Sequence, residues 1–324
     1  VTVPTAYALP LRTRFRGILE RQGLVWRGPA GWAEWSPFLD YDGDELVPWL
    51  RAADEAAEQG WPAPRRDRVE VNSTVPAVGP EHAHRLATEA GCRTAKVKVA
   101  ERGQTLADDV ARVEAVRDAL GPDGRVRVDA NGGWSVDEAG RALAALAPFG
   151  LEYAEQPCAS VEELADLRRR LARSGTDVLV AADESIRRAA DPYRVRALEA
   201  ADVAVLKVQP LGGVRACLEI AERIGLPVVV SSALETSVGI RAGLALAAAL
   251  PELPFACGLN TVRLLADDLV AAPLVAVDGV LPVGALDVAP EALERHRAPD
   301  AVGAFWQARL VQTRARAAAG AGRG

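Results

Sequence analysis

Residues 95–99 read AKVKV, two lysines set into an apolar, β-branched run. A strand of this composition buries one face or both, and lysine is among the residues least often buried. Lys96 and Lys98 stand two apart, so a strand turns them to the same side. The third lysine, Lys207, lies in a second such run, AVLKVQP. These three are the only lysines among 38 basic residues, and all the others are arginines. Arginine keeps its proton near neutral pH, whereas a buried lysine can lose one. Three amines in apolar runs of an arginine-biased chain point to sites that exchange a proton. The alternative is ordinary snorkelling side chains, which explains one such lysine more easily than three.

Working outward from AKVKV, a rhythm runs from residue 69 onward. Short β-branched runs recur as VEVNSTVPAV, TAKVKVA, RVRVDAN, EYAEQP, VLVAADES, ADVAVLKVQP, PVVVSSALET and FACGLNT. Between them lie segments with helical spacing, such as TLADDVARVEAVRDAL, SVDEAGRALAALAPF and SVEELADLRRRLARS. Strands alternating with helices imply parallel βαβ units, and eight strand candidates suggest a (β/α)-type barrel over residues 69–262. The doubly wound open sheet is the alternative. It commonly carries a glycine-rich phosphate loop after its first strand, and VNSTVPAVGP is not one. Residues 1–68 hold five of the seven tryptophans and read as a small α+β capping domain, with GPAGWAEWSPF and YDGDELVPWL as strand, turn and helix. Residues 263–324 are expected to return to that cap through an extended segment, APLVAVDGVLPV, and to end in a mobile tail, RARAAAGAGRG.

Bulk properties exclude several classes. The chain has 324 residues, 25% charged and 49% hydrophobic, the balance of a soluble enzyme. A net charge of −6 and a pI of about 5.4 argue against nucleic-acid and membrane-surface partners. No run is long and apolar enough to span a bilayer, and VTVPTAYALPLRTRF lacks the order of a secretion signal. Four scattered cysteines form no C-x-x-C, which fits the cytoplasm. Oligomeric state has no signature here.

The polar residues at the strand ends carry the chemistry. The second strand supplies Lys96 and Lys98, the third Asp129 and Asn131, the fourth Glu155, the fifth Asp183 and Glu184, and the sixth Lys207. Intervals of 31, 26, 28 and 24 residues separate Lys98, Asp129, Glu155, Asp183 and Lys207, each about one βα unit. On adjacent parallel strands these positions become neighbours at the C-terminal rim, where such barrels hold their active sites. Three facing carboxylates need a counter-charge, and oxygen-only ligands favour Mg²⁺, or Mn²⁺, over zinc. Each acid taken alone also suits a helix N-cap. A metal beside a carboxylate substrate stabilises the dianion left when a neighbouring carbon loses its proton. Lys96 should lower the pKa of Lys98 by repulsion and poise it as the base.

The K-x-K of Lys96 and Lys98, the DAN of Asp129, the EQP of Glu155, the DES of Asp183 and the opposing Lys207 resemble the enolase superfamily. Within it they are similar to the muconate-lactonizing-enzyme-like subgroup. The resemblance covers essentially the whole chain. It implies a modified (β/α)7β TIM-type barrel capped by an α+β domain made from both chain ends. It also implies metal ligands Asp129, Glu155 and Asp183, with Lys98 and Lys207 as acid–base lysines. Mandelate-racemase-like members use a barrel histidine, but His82, His84 and His296 are at no late strand end. The D-x-D motif of dipeptide epimerases is missing from FACGLNTVR. SSALETSVG, residues 231–239, is similar to the menaquinone-pathway dehydratases of the subgroup.

The expected reaction is therefore loss of water from a small carboxylate, 2-succinyl-6-hydroxy-2,4-cyclohexadiene-1-carboxylate. Racemisation of N-acylamino acids by the same two lysines is the alternative. Ser231, Ser232 and the helix start near Ser237 are expected to hold the succinyl end, with Asn131 and Gly212 also near the substrate. Two readings from other classes explain less. A Schiff-base aldolase on Lys207 leaves the three acids idle, and a non-catalytic metal scaffold leaves the lysines idle.

Overall fold

The computed structural model describes residues 2–321. A hairpin of β1 (Thr5–Phe15) and β2 (Ile18–Arg27) is extended by β3 (Trp32–Trp35) into an antiparallel sheet. Helix α1 (Leu46–Glu58) packs on it through Trp49, Leu50, Ala53 and Ala57. Trp35 meets Trp306 edge-on at 5.7 Å, and Trp49 meets Tyr41 at 5.1 Å. The tryptophan-rich N-terminal segment thus builds a second core, which Leu234 and Val238 of the barrel and Leu265, Trp306 and Leu310 of the C-terminal region share.

The barrel starts after β4 (Arg68–Glu70). Its strands are β5 (Ser73–Val75), β6 (Thr94–Lys98), β7 (Arg125–Asp129), β8 (Leu151–Glu155), β9 (Val180–Ala182), β10 (Val203–Leu206) and β11 (Val228–Val230). They pair in chain order, all parallel. Single parallel bridges close the ring, Val71 to Cys257 on one side and Ser231 to Gly258 on the other. FACGLNT therefore takes the eighth position as a stave only a residue or two long. The result is a modified TIM-type barrel.

Parity explains why these strands carry so little polarity except at their ends. Alternate residues face opposite sides, and a parallel sheet under helices buries both. Ala95, Val97, Val126, Val128, Val180, Ala182, Ala204 and Leu206 belong to the main core, which the surrounding helices share. Tyr153, Ala181, Val203, Val205 and Val229, of the other parity, form a separate inner cluster. Two residues further along the same inner face come Glu155, Asp183, Lys207 and Ser231. The apolar floor thus gives way to a polar rim in one step of the pleat. Arg127 is sealed into that floor, its guanidinium 4.7 Å from the Tyr153 ring and 5.7 Å from that of Phe255.

The helices after these strands are α2 (Pro80–Thr88), α3 (Leu106–Leu120), α4 (Val136–Leu146), α5 (Val161–Ser174), α6 (Glu184–Arg187), α7 (Arg194–Ala197), α8 (Val208–Leu211), α9 (Val214–Ile224) and α10 (Ser237–Ala249). Three of them open with a reciprocal capping box, Thr105 with Asp108, Ser135 with Glu138 and Ser160 with Glu163. Each box satisfies orphan N–H groups and fixes where the helix begins.

Three expectations are corrected. VEVNSTVPAV is not one strand, because β4 and β5 are separate and β4 pairs instead with β12 (Val280–Pro282). That strand is the extended return segment. It joins the barrel's entry, and the chain touches the cap on either side of it, Ala266 donating to the Pro10 carbonyl before it and Ala298 to the Ala6 carbonyl after it. The tail expected to be mobile from Arg314 onward is helical to Ala321, as the end of α12 (Asp300–Ala321), which follows α11 (Pro290–Arg295). Alanine and arginine are strong helix formers, and Arg314 pairs with Asp54 at 3.0 Å. Residues 322–324, the last of the expected tail, lie outside the described residues.

Two carboxylates of the N-terminal region cap barrel helices. Glu55 of α1 accepts from the N–H of Val214 at 2.5 Å and of Arg215 at 3.2 Å. Glu34 of β3 accepts from the N–H of Thr236 at 3.2 Å and of Gly239 at 3.0 Å, and from Tyr7 and Ser36 hydroxyls at 2.7 Å each. Negative charge suits a helix N-terminus. Glu34→Gln replaces an all-acceptor group by one that also donates, among donors. It should cost about 2–3 kcal/mol of unfolding free energy. A urea titration with an unchanged midpoint would contradict this docking role.

Candidate active site

The register brings the strand ends together. Lys98 lies opposite Asp129, and Asp129 opposite Glu155, across neighbouring strands. Lys96 bridges both acids, its Nζ 2.8 Å from Glu155 Oε1 and 3.1 Å from Asp129 Oδ2. Lys98 Nζ is 2.5 Å from the same Asp129 Oδ2 and donates to the Asn131 side-chain oxygen. Lys207 Nζ is 2.6 Å from Asp183 Oδ2. Lysine, acid, acid, acid, lysine therefore follow one another around the rim, and all five are buried.

The electrostatics divide the lysines. Burial works against the Lys96 ammonium, but Asp129 and Glu155 overcome it and hold its pKa above the ordinary value. Lys98 goes the other way. Burial pushes it down, the pull of Asp129 is insufficient, and the Lys96 charge adds to the fall. Repulsion by Lys96 thus contributes, with burial as the larger cause. Burial also opposes the Asp129 charge, but Lys96, Lys98 and Lys207 hold that carboxyl well below its usual range. Burial and the Asp129 charge raise Glu155 from 4.5 to about 7.

In this structure the acids are neutralised by the lysines themselves and by Arg187, whose Nε lies 2.8 Å from Asp183 Oδ1. Among the described residues no three acids are grouped so as to hold a metal ion. The donor set nonetheless fits a hard divalent cation, being three buried carboxylates on successive strands with no sulfur or imidazole among them. Arg187 was missed by the sequence reading. Its signal was the spacing from Asp183, four residues on a short helix, where opposite charges meet.

The cavity above these groups is lined by Lys96, Lys98, Asp129, Asn131 and Lys207, by Ser231–Leu234, and by Thr74, Gly258 and Thr261. The N-terminal sheet and the loop after it add Phe15, Arg16 and Phe38, which local sequence did not single out. Ser231 and Ser232 are thus beside the lysines, and Ser232 Oγ shares a hydrogen bond of 2.7 Å with Thr261. Gly212 is elsewhere. It follows α8 with φ +94 and faces Pro48 of α1, away from the cavity lining. The start of α10 is also taken, since Glu34 holds its first N–H groups and Asp268 holds Ser237. Both corrections have one cause: partners from the N-terminal segment and the C-terminal return fill these positions.

Beside this wall Glu235 is buried, and burial with the Glu34 charge raises its carboxyl from 4.5 to about 7. Between those two values the unfolded carboxyl has lost its proton while the folded one keeps it. The folded state then binds more protons, so stability falls as pH rises through that window and is level above it. Glu155 is raised over the same window, so Glu235→Gln should remove only the Glu235 share of this slope and raise stability at pH 8 by about 1–3 kcal/mol. Urea titrations at pH 5 and 8 measure it, and a variant with the wild-type slope would exclude Glu235 as its source.

Comparison with known proteins gives a consistent picture. Residues 80–291 match the family model described as enolase C-terminal domain-like, and residues 6–57 that described as enolase N-terminal domain-like. The chain is 63% identical over 310 residues to the o-succinylbenzoate synthase of Thermobifida fusca, covering 96% of this chain and 95% of that one. It is 56% identical over 301 residues to that of Mycolicibacterium smegmatis, covering 92% and 91%. Among solved structures, the N-succinyl Arg/Lys racemase of Bacillus cereus superposes with a TM-score of 0.77 at 21% identity, over 91% of this chain and 97% of that one. The muconate lactonizing enzyme of Pseudomonas fluorescens, complexed with muconolactone, gives 0.76 at 22%, over 91% and 98%. At such identities the likeness is one of fold.

Proposed function

The chain belongs to the enolase superfamily, and from that premise we propose that it acts as an o-succinylbenzoate synthase. The observation that carries this reading is 63% identity to such an enzyme over nearly the full length of both chains. The reaction converts 2-succinyl-6-hydroxy-2,4-cyclohexadiene-1-carboxylate to 2-succinylbenzoate and water, a step of menaquinone biosynthesis.

Family membership implies dependence on Mg²⁺, and the residues that would hold it are Asp129, Glu155 and Asp183. Bound there, the ion would supply a Lewis acid for the substrate carboxylate. The chain's own groups do the rest. Lys98, in its amine form, takes the proton from the carbon bearing the ring carboxylate. The electron pair moves into that carboxyl as an enediolate, and the Lys207 ammonium on the opposite side faces the negative charge. The pair then returns to the ring, the C–O bond breaks, and the proton on Lys98 leaves with hydroxide as water. Lys98 ends as it began, and the ring is aromatic. Lys96 keeps its proton throughout and stabilises the acids beside it.

The substrate's second carboxylate lies on the succinyl arm. Ser231 and Ser232, which line one wall of the cavity, are the groups assigned to that arm in this reading. At the mouth, the Arg16 guanidinium stacks 4.6 Å from the Phe38 ring and has no carboxylate partner among the described residues. Among the described residues no helix is long and apolar enough to cross a membrane. Four free, buried thiols support placing the enzyme in the cytoplasm.

The test is turnover. The cyclohexadiene carboxylate should lose water and gain aromatic absorbance, with kcat/KM above that for N-succinyl amino acids. Lys207→Arg should retain more dehydration than racemisation, because only racemisation needs Lys207 to exchange a proton. Robust racemisation without aromatic product would overturn the assignment.

A further inference from the structure

The cavity wall at Ser231–Leu234 contains an unusual backbone. Leu234 has φ +62, the left-handed region that a residue with a branched side chain rarely adopts. Its carbonyl accepts from Arg21 Nε at 2.9 Å, and the Ala233 carbonyl accepts from Arg21 Nη2 at 3.2 Å. Arg21 belongs to β2, more than two hundred residues away, and is 2% exposed. Its guanidinium lies 4.5 Å from the ring of Phe38, itself a cavity residue, and Nη2 also reaches Ser36 Oγ at 3.0 Å. No carboxylate of the described residues is within ion-pairing distance of it. Its hydrogen bonds all end on carbonyls and one hydroxyl. From the other side, Glu235 Oε2 accepts the Ala233 N–H at 2.7 Å, so the turn is gripped at both edges.

A buried guanidinium devoted to carbonyls and a strained non-glycine backbone are each unfavourable alone. Here they occur together, at the wall of the cavity. We propose that Arg21 is a positioning residue, which holds the Ala233–Leu234 turn left-handed so that the wall from Ser231 to Leu234 fits the substrate's succinyl arm. The proposal rests on the dehydration reading above. It assigns Arg21 no part in proton transfer, because its contacts are with the turn, the Gln22 carbonyl, Ser36 and Phe38 and with neither catalytic lysine.

The test uses the full chain. Arg21→Met should raise KM for the cyclohexadiene carboxylate about 10- to 100-fold and change kcat by less than about threefold. Inhibition by the product 2-succinylbenzoate should weaken in parallel, whereas inhibition by benzoate, which lacks the arm, should not. The decisive measurement is rescue. Glycine adopts the left-handed region without strain, so adding Leu234→Gly to Arg21→Met should recover about tenfold in KM, and adding Leu234→Ala should not. If Arg21→Met does not fold, Arg21→Lys, which keeps the buried charge and loses the fork, carries the same comparison. A variant that lowers kcat at unchanged KM, or glycine and alanine rescuing equally, would overturn the proposal. Absence of dehydration by the wild-type chain would instead overturn the functional reading.

Discussion

Lys98→Arg should lower dehydration by about 10²- to 10⁴-fold while leaving the fold intact. The substitution keeps the positive charge and much of the length, so the ion pair with Asp129 at the end of β6 survives in kind. What it removes is the ability to exist without a proton near neutral pH. Lys98 is suited to that task because burial and the Lys96 ammonium push its pKa below 10.5 despite the adjacent Asp129. Lys96, two residues earlier on the same face, is held above its ordinary value by Asp129 and Glu155 and stays charged. The same residue type thus serves as base and as fixed charge because one amine faces two acids and the other shares one. Replacing Lys96 should move the pH dependence of kcat/KM, whereas Lys98→Arg should remove the rate. Turnover within about tenfold of wild type in Lys98→Arg would exclude the general-base role.

The barrel and its rim were legible because a parallel sheet tolerates polarity so poorly. In AKVKV, RVRVDAN and AVLKVQP every other position is apolar, so a lysine or aspartate at a strand end stands out. Spacing of one βα unit then places those residues side by side. What escaped the sequence was whatever depends on partners remote in the chain. The β1–β2 hairpin brings Phe15 and Arg16 over the cavity, but its tip, RTRFRG, reads as an ordinary polar turn. Arg21 and Arg187 are lost among the arginines that made the three lysines conspicuous. Gly212 and the start of α10 looked open to substrate because local sequence gives no hint of Pro48, Glu34 or Asp268. The need of three acids for a counter-charge was read correctly as a need. That lysines and Arg187 meet it in this structure follows from side-chain reach, which spacing does not encode.

Exhaustive chelation should abolish turnover, by at least about a thousandfold, without unfolding the protein. The fold should persist because the rim is already balanced. Lys96, Lys98, Lys207 and Arg187 face Asp129, Glu155, Asp183 and Glu184, every acid within hydrogen-bonding distance of a cation. In that network Lys98 donates to Asp129 and Asn131. A dication taking carboxylate oxygens competes with those ammonium groups, and its charge disfavours theirs. Adding Mg²⁺ to chelated protein should therefore restore turnover, raise the melting temperature and release protons. Calorimetric titration in two buffers of different ionisation enthalpy measures that release without any substrate. Asp183→Asn should weaken Mg²⁺ binding in the same titration, because it removes a charged oxygen ligand and leaves Arg187 and Lys207 facing a neutral group. Lys98→Arg should abolish the part of the proton release that comes from Lys98, since arginine does not give up its proton. Undiminished turnover after complete chelation would remove the metal from the mechanism. Mg²⁺ binding with identical proton release in wild type and Lys98→Arg would keep the metal and show that it does not act on the protonation of Lys98.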